Sequence, residues 1–217
     1  MTEVAFGIFP SPAADDLDTT LEAARIADQT GLDLVAIQDH PYQRRFLDTF
    51  TLLTTVLART ERIQVMPDVA SLPMRGAAMT AKAAASLAVL HPGRFILGLG
   101  AGAFWEAVEG MGGPRRTPGE AVDGFAEGIE VMRLLWSGER GLHYDGAHYR
   151  LQGVHSGPVP PAPVPIWAGA YGPRMLEVTG RLCDGWVVSA PNFPVERLAA
   201  AHDGIDAAAR TAERDRT

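Results

Sequence analysis

Asp39-His40-Pro41 closes a short apolar run and is the strongest acid–base candidate in the 217-residue sequence. A histidine titrates near neutrality and can move a proton or polarise a substrate oxygen. Glu106 and Glu109 follow a glycine-rich stretch and offer a second proton-handling group. That stretch, Gly98-Leu99-Gly100-Ala101-Gly102-Ala103, fits the pattern G-x-G-x-x-A after a strand. A second one, Gly169-Ala170-Tyr171-Gly172-Pro173, leads into a helix. Free backbone N–H groups and a positive helix end make both loops candidate phosphate cradles. The first also admits a dinucleotide-binding reading, because Asp123 lies 20 residues past Ala103. Gly110, Gly112, Gly113 and Pro114 rank that reading second, since they interrupt the helix a tight βαβ unit needs. His143 and His148 flank an Asp145-Gly146 turn without a third ligand, so no metal site is expected.

The elements that carry these residues alternate. Residues 3–9 form a short apolar run closed by Pro10 and Pro12, and Leu17, Leu21 and Ala24 recur at helical spacing up to Gly31. Residues 33–37 are the second strand, and Phe50, Leu53, Val56 and Leu57 mark the next helix. A third strand spans 63–69, an alanine-rich helix follows from about Gly76 to Leu90, and residues 95–99 are a fourth strand. Thr117-Pro118-Gly119-Glu120 reads as a capping box that starts a helix, whose apolar stripe of Phe125, Ile129, Met132 and Trp136 belongs to the core. The segment at about 139–165 interrupts the repeat with a hairpin and a stiff proline-rich stretch. A fifth strand (165–168), a helix to about Leu182, a sixth strand (185–189) and a last helix from Pro194 complete the pattern. Six strand–helix units in strict alternation predict an α/β fold with a parallel sheet. Periodicity alone leaves a doubly wound sheet and a (β/α) barrel both open.

In either architecture, ligands bind at the carboxyl ends of the strands. Arg44, Arg45, Arg75, Arg115, Arg116 and Arg174 all fall in the loops there, which predicts a cationic face for an anionic ligand unless local carboxylates pair with them. The chain as a whole is acidic, with 19 basic against 26 acidic residues and a net charge of −7. That balance argues against nucleic acid and membrane surfaces as partners. The longest apolar stretch, 95–105, is about half a bilayer span and is broken by glycines, so no transmembrane helix is expected. No basic segment precedes an apolar run at the start, so no signal peptide is expected either. The single cysteine, Cys183, excludes a disulfide framework and fits a reducing compartment. A cytoplasmic protein is the expectation.

Six segments together resemble the bacterial luciferase-like monooxygenase superfamily, in its branch of actinobacterial deazaflavin (coenzyme F420)-dependent oxidoreductases. They are FGIF at 6–9, AARIADQTGLDLVAIQDHPY at 23–42, ARTERIQVMPDVASLP at 58–73, HPGRFILGLGAGAFWE at 91–106, GIEVMRLLWSG at 128–138 and PIWAGAYGPRMLEVTGRLCDGWV at 165–187. The resemblance implies a TIM-type (β/α)8 barrel, often dimeric, with flavin or deazaflavin at its C-terminal face. It places the Asp39-His40 pair near the ring system and makes Val69-Ala70-Ser71 a backbone bulge behind the ring. Gly100, Ala101, Gly102 and Ala103, with Gly169, Ala170, Tyr171 and Gly172, would take the phosphate and ribityl part, and Arg174 would help to bind the anionic tail. The implied reaction is hydride transfer between coenzyme F420 and a small organic substrate, with His40 and Glu106 handling the proton. An FMN-dependent monooxygenase is the alternative within the family.

About six of the eight strand–helix units of such a barrel are present, within a single domain spanning 1–217. Two sheet edges are then open, which predicts poor stability as a monomer or cover by a partner chain. The resemblance implies a homodimer. A non-catalytic remnant of the scaffold is the alternative of a different class.

Overall fold

The computed structural model describes residues 4–214. In chain order its elements are β1 (Gly7–Ile8), α1 (Leu17–Thr30), β2 (Leu34–Ile37), α2 (Thr49–Arg59), β3 (Gln64–Pro67), β4 (Ala70–Ser71), α3 (Leu72–Arg75) and α4 (Ala77–Leu90). They continue with β5 (Leu97–Gly100), α5 (Trp105–Gly110), α6 (Pro118–Trp136), β6 (Leu142–Asp145), β7 (Arg150–Val154), β8 (Ile166–Gly169), α7 (Pro173–Leu182), β9 (Gly185–Val187) and α8 (Leu198–Thr211). The parallel strands pair in chain order. β1 joins β2 and β2 joins β3, while β4, β5, β8 and β9 form a second run. A parallel bridge from Val65 to Phe95 links the two runs. A doubly wound sheet would reverse its strand order partway, so sequential order selects the barrel.

Side-chain alternation builds two separate apolar layers. Val35, Ile37, Val65, Leu97, Leu99, Ile166 and Ala168 point outward and pack in the large core shared with the helices. The intervening residues Ala36, Met66 and Ile96 form a small inner cluster with Leu34, Trp167 and Val187. This period-two split is the sign of strands buried on both faces. Gly98 belongs to the inner face, and a Cβ there would lie 2.1 Å from the Pro67 carbonyl oxygen. A backbone oxygen inside a packed barrel cannot move aside. Gly98→Ala is therefore expected to cost about 1–3 kcal/mol of stability, read from urea denaturation.

The capping box forms as read: the Thr117 hydroxyl accepts from the Glu120 N–H and the Glu120 carboxylate accepts from the Thr117 N–H. Phe125, Ile129 and Met132 of α6 are fully buried, and the Trp136 indole donates to the Ala81 carbonyl at 2.9 Å. The hairpin of β6 and β7 is antiparallel, with Asp145 opposite Arg150.

Three expectations need adjustment. Of the first strand read at 3–9, only Gly7–Ile8 is a strand among the described residues, and residue 3 lies outside them. The third strand does not run unbroken to Val69: a cis peptide joins Asp68 to Val69, and the chain resumes as β4. The short helices α3 and α5, each in a loop after a strand, had no periodic signal to reveal them.

Among the described residues, β1 pairs only with β2 and β9 only with β8. No helix among them is long and apolar enough to cross a membrane.

Candidate active site

A cavity of about 730 Å³ opens where the carboxyl ends of the strands converge. Most of the expected site residues meet there. Asp39, His40, Val69, Ala70, Ser71, Gly100, Ala101, Gly102, Ala103, Gly169, Tyr171 and Gly172 all line it. Ala170 is buried in the outer core instead, because it follows β8 in the outward phase of the alternation. Glu106 is exposed on α5 and is not among the lining residues. Arg174 is also absent from the lining and pairs with Asp123 at 2.8 Å.

The other loop arginines behave similarly. Arg45 pairs with Asp15, Arg115 with Glu109, and Arg116 lies over the Tyr149 ring at 5.8 Å. Local partners, and not the cavity, thus claim most of this set. The expected cationic face gives way to the alternative of local pairing.

Asp39 is almost wholly buried, with its side chain 1% exposed. Its parity on the strand matches Val35 and Ile37, so its carboxylate turns toward the helix layer. Both oxygens are saturated there: Oδ1 accepts from Arg75 Nη2 at 2.6 Å, and Oδ2 accepts from Arg75 Nε at 2.7 Å and from the Ser71 N–H at 2.9 Å. Arg75 also donates to Asp48 at 2.6 Å and stacks over Phe50 at 4.6 Å. Burial works against the guanidinium charge, but the hydrogen bonds and charges of Asp39 and Asp48 outweigh it and raise its pKa. Asp39 therefore fixes β4 and the end of β2 in place.

His40, the next residue, is half-buried. Its Nδ1 lies 2.6 Å from the Tyr42 hydroxyl, and Phe104 meets the ring edge-on with centroids 5.5 Å apart. The Tyr42 contact occupies Nδ1 and leaves Nε2 for a ligand. Burial lowers the His40 pKa, and the Asp39 charge opposes that shift only in part. The lowered pKa favours the neutral ring, the form that can accept a proton.

The floor of the cavity is set by Val69. A Cβ on Gly100 would lie 2.8 Å from Val69 Cγ2, and one on Gly169 would lie 2.9 Å from it. Both glycines thus make room for the valine, which lines the cavity between the two loops. At the wall, Gly172 caps α7 without a side-chain hydrogen bond, so the first N–H groups of that helix are open to an anion.

Among the lining residues to which the sequence reading gave no role are Asp68 and Tyr42. Asp68 follows the end of β3 in the inward phase set by Met66, and that alternation was the available signal. Tyr42, two residues past His40, had none, because its contact depends on the turn after β2.

The family model described as luciferase-like monooxygenase matches residues 2–217. Among curated proteins, F420-dependent glucose-6-phosphate dehydrogenase from Gordonia bronchialis is 31% identical over 222 residues, covering 97% of this chain and 65% of that protein. The protein of the same name from Nocardia farcinica is 34% identical over 177 residues, covering 78% of this chain and 52% of its own length. The chain thus spans between half and two thirds of these relatives. Among solved structures, an F420-dependent secondary alcohol dehydrogenase in complex with an F420-acetone adduct superposes with a TM-score of 0.88 at 23% identity. It covers 99% of this chain and 66% of that one. A riboflavin lyase with modified FMN and riboflavin superposes at 0.86 and 18% identity, covering 99% of this chain and 60% of that one. At such identities the superpositions establish a shared fold, a TIM-type barrel of which this chain carries the greater part. Sequence match and fold agree, and the chain belongs to the luciferase-like monooxygenase family.

Proposed function

We propose that this chain binds coenzyme F420 in the cavity and transfers hydride between it and a small organic substrate. One observation carries the reading: His40 lines one cavity with two glycine-rich loops, one of which opens a helix end without a side-chain cap. A planar ring system fits against Val69, whose side chain fills the space left by Gly100 and Gly169. The phosphate would lie at Gly172 and the start of α7, with the ribityl chain along residues 100–103. A deazaflavin supplies two-electron hydride chemistry when bound, and the protein supplies orientation and proton handling. Phe104 and Tyr42 shield His40 from bulk water on one side, and Tyr42 holds its ring. His40 takes the proton released by the substrate. Arg174 and Glu106, outside the lining, have no assigned contact with cofactor or substrate in this scheme.

The curated relatives named as F420-dependent glucose-6-phosphate dehydrogenases support the deazaflavin, and FMN remains the second reading because a superposed structure holds a modified FMN. Separate titrations of the purified chain with coenzyme F420 and FMN, followed by fluorescence, test the choice. Saturable deazaflavin binding is expected. Tight FMN binding with no response to deazaflavin would reverse it.

The proposal extends to a single cytoplasmic barrel domain acting as a homodimer. Support for the dimer comes from the exposed side chains of Met79, Val89 and Leu90 on α4, which present apolar surface to solvent.

A further inference from the structure

A carboxylate occupies the first inward position past the end of β3. Val65 packs in the outer core and Met66 in the inner cluster, so the next inward position is Asp68. The Asp68 N–H donates to the Ile37 carbonyl at 2.7 Å, which keeps the strand in register up to this residue. Of the two carboxylates that line the cavity among the described residues, Asp39 has both oxygens engaged by Arg75 and Ser71. Asp68 has no side-chain hydrogen bond or ion pair among the described residues and faces the same cavity as His40. An unpartnered, half-buried acid costs stability and is retained most simply for chemistry.

We propose that Asp68 is the second catalytic residue of this site, the acid that gives a proton to the hydride acceptor while His40 takes one from the hydride donor. The role rests on the hydride-transfer reading above. In that reaction the donor's C–H bond breaks, and the hydrogen leaves with its electron pair for the acceptor. The donor's O–H or N–H proton passes to His40, and the acceptor takes its proton from the Asp68 carboxyl. Solvent then returns both side chains to their starting states. Burial disfavours the charged form of both groups, raising the pKa of Asp68 and lowering that of His40.

Asp68→Asn tests the role with and without turnover. A group whose pKa is raised on folding contributes stability below its unfolded pKa and loses it as pH rises through the folded one. Thermal melts of the ligand-free protein should therefore show Asp68→Asn equal to wild type in acid and more stable by a few degrees at neutral pH. With deazaflavin affinity unchanged, turnover should fall roughly 100-fold and the basic limb of the pH profile should disappear. A lower melting temperature for the variant at every pH would mean that the carboxylate is structural and would overturn the proposal. Wild-type turnover with binding retained would overturn the role of Asp68 alone. Absence of deazaflavin binding by the wild-type chain would instead overturn the hydride-transfer reading, and this role with it.

Discussion

Replacing Arg75 with methionine is expected to remove about 3–5 kcal/mol of folding stability, because it strands a buried carboxylate without its cation. Asp39 is 1% exposed at its side chain and receives two of its three hydrogen bonds from this guanidinium. Methionine keeps much of the volume over Phe50 but none of the charge. The measurement is urea denaturation of wild type, Arg75→Met, Asp39→Leu and the double variant. The double variant should recover most of the loss, since a buried pair replaced as a unit by apolar groups is close to neutral. Equal stability of wild type and Arg75→Met would mean that the pair contributes nothing.

The pH dependence follows from the third member of the network. Burial raises the pKa of Asp48, but its bonds to Thr51 and Arg75 outweigh that and hold it below 3.8. A depressed acid contributes stability above its unfolded pKa and loses it as pH falls through the folded value. Wild type should therefore lose stability in acid below 3.8, and Arg75→Met should lose less over the same interval.

Replacing His40 with glutamine is expected to lower turnover by roughly 10²–10⁴-fold while leaving cofactor affinity within about twofold of wild type. Glutamine can still meet the Tyr42 hydroxyl and fills similar space, but it cannot accept a proton at neutral pH. The sign of the pH effect is set by the lowered pKa. In the direction that takes a proton from the substrate, His40 works as the neutral ring, so activity declines as pH falls through its pKa, on the acid side of 6.5. Steady-state rates across pH would show that acid limb in wild type and its absence in His40→Gln. A variant that kept both the rate and the limb would remove His40 from the reaction. A variant that lost deazaflavin binding would assign the residue to binding instead.

Both results depend on neighbours that share one stretch of chain, Gln38 to Tyr42, yet point in different directions. Asp39-His40 could be singled out from residue type and from its place at a strand end. Reading the two as a single acid–histidine pair was the natural inference from adjacency. In the fold, alternation sends Asp39 to the helix layer and Arg75, and the following turn brings His40 against Tyr42 and Phe104. Adjacent residues on a strand face opposite sides, so sequence neighbours need not share a task.

The glycine loops show the same division. Their presence and their place after strands were legible, and most of their residues do line the cavity. That Gly100 and Gly169 accommodate Val69 was not, because the contact joins residues 31 and 100 positions apart in the chain.

Local periodicity, caps and turns determined the strands, the larger helices, the hairpin and the end of the barrel where chemistry would lie. They act over a few residues, within the range of backbone hydrogen bonds and neighbouring side chains, so they can be read along the chain. Tertiary structure alone decided the rest: sequential strand order in place of a reversal, the capture of most loop arginines by local acids, and the opening of Asp68 onto the cavity without a side-chain partner among the described residues. Those outcomes depend on which distant groups come within about 3 Å of each other, the range at which a hydrogen bond or ion pair forms, and only the closed fold sets that distance.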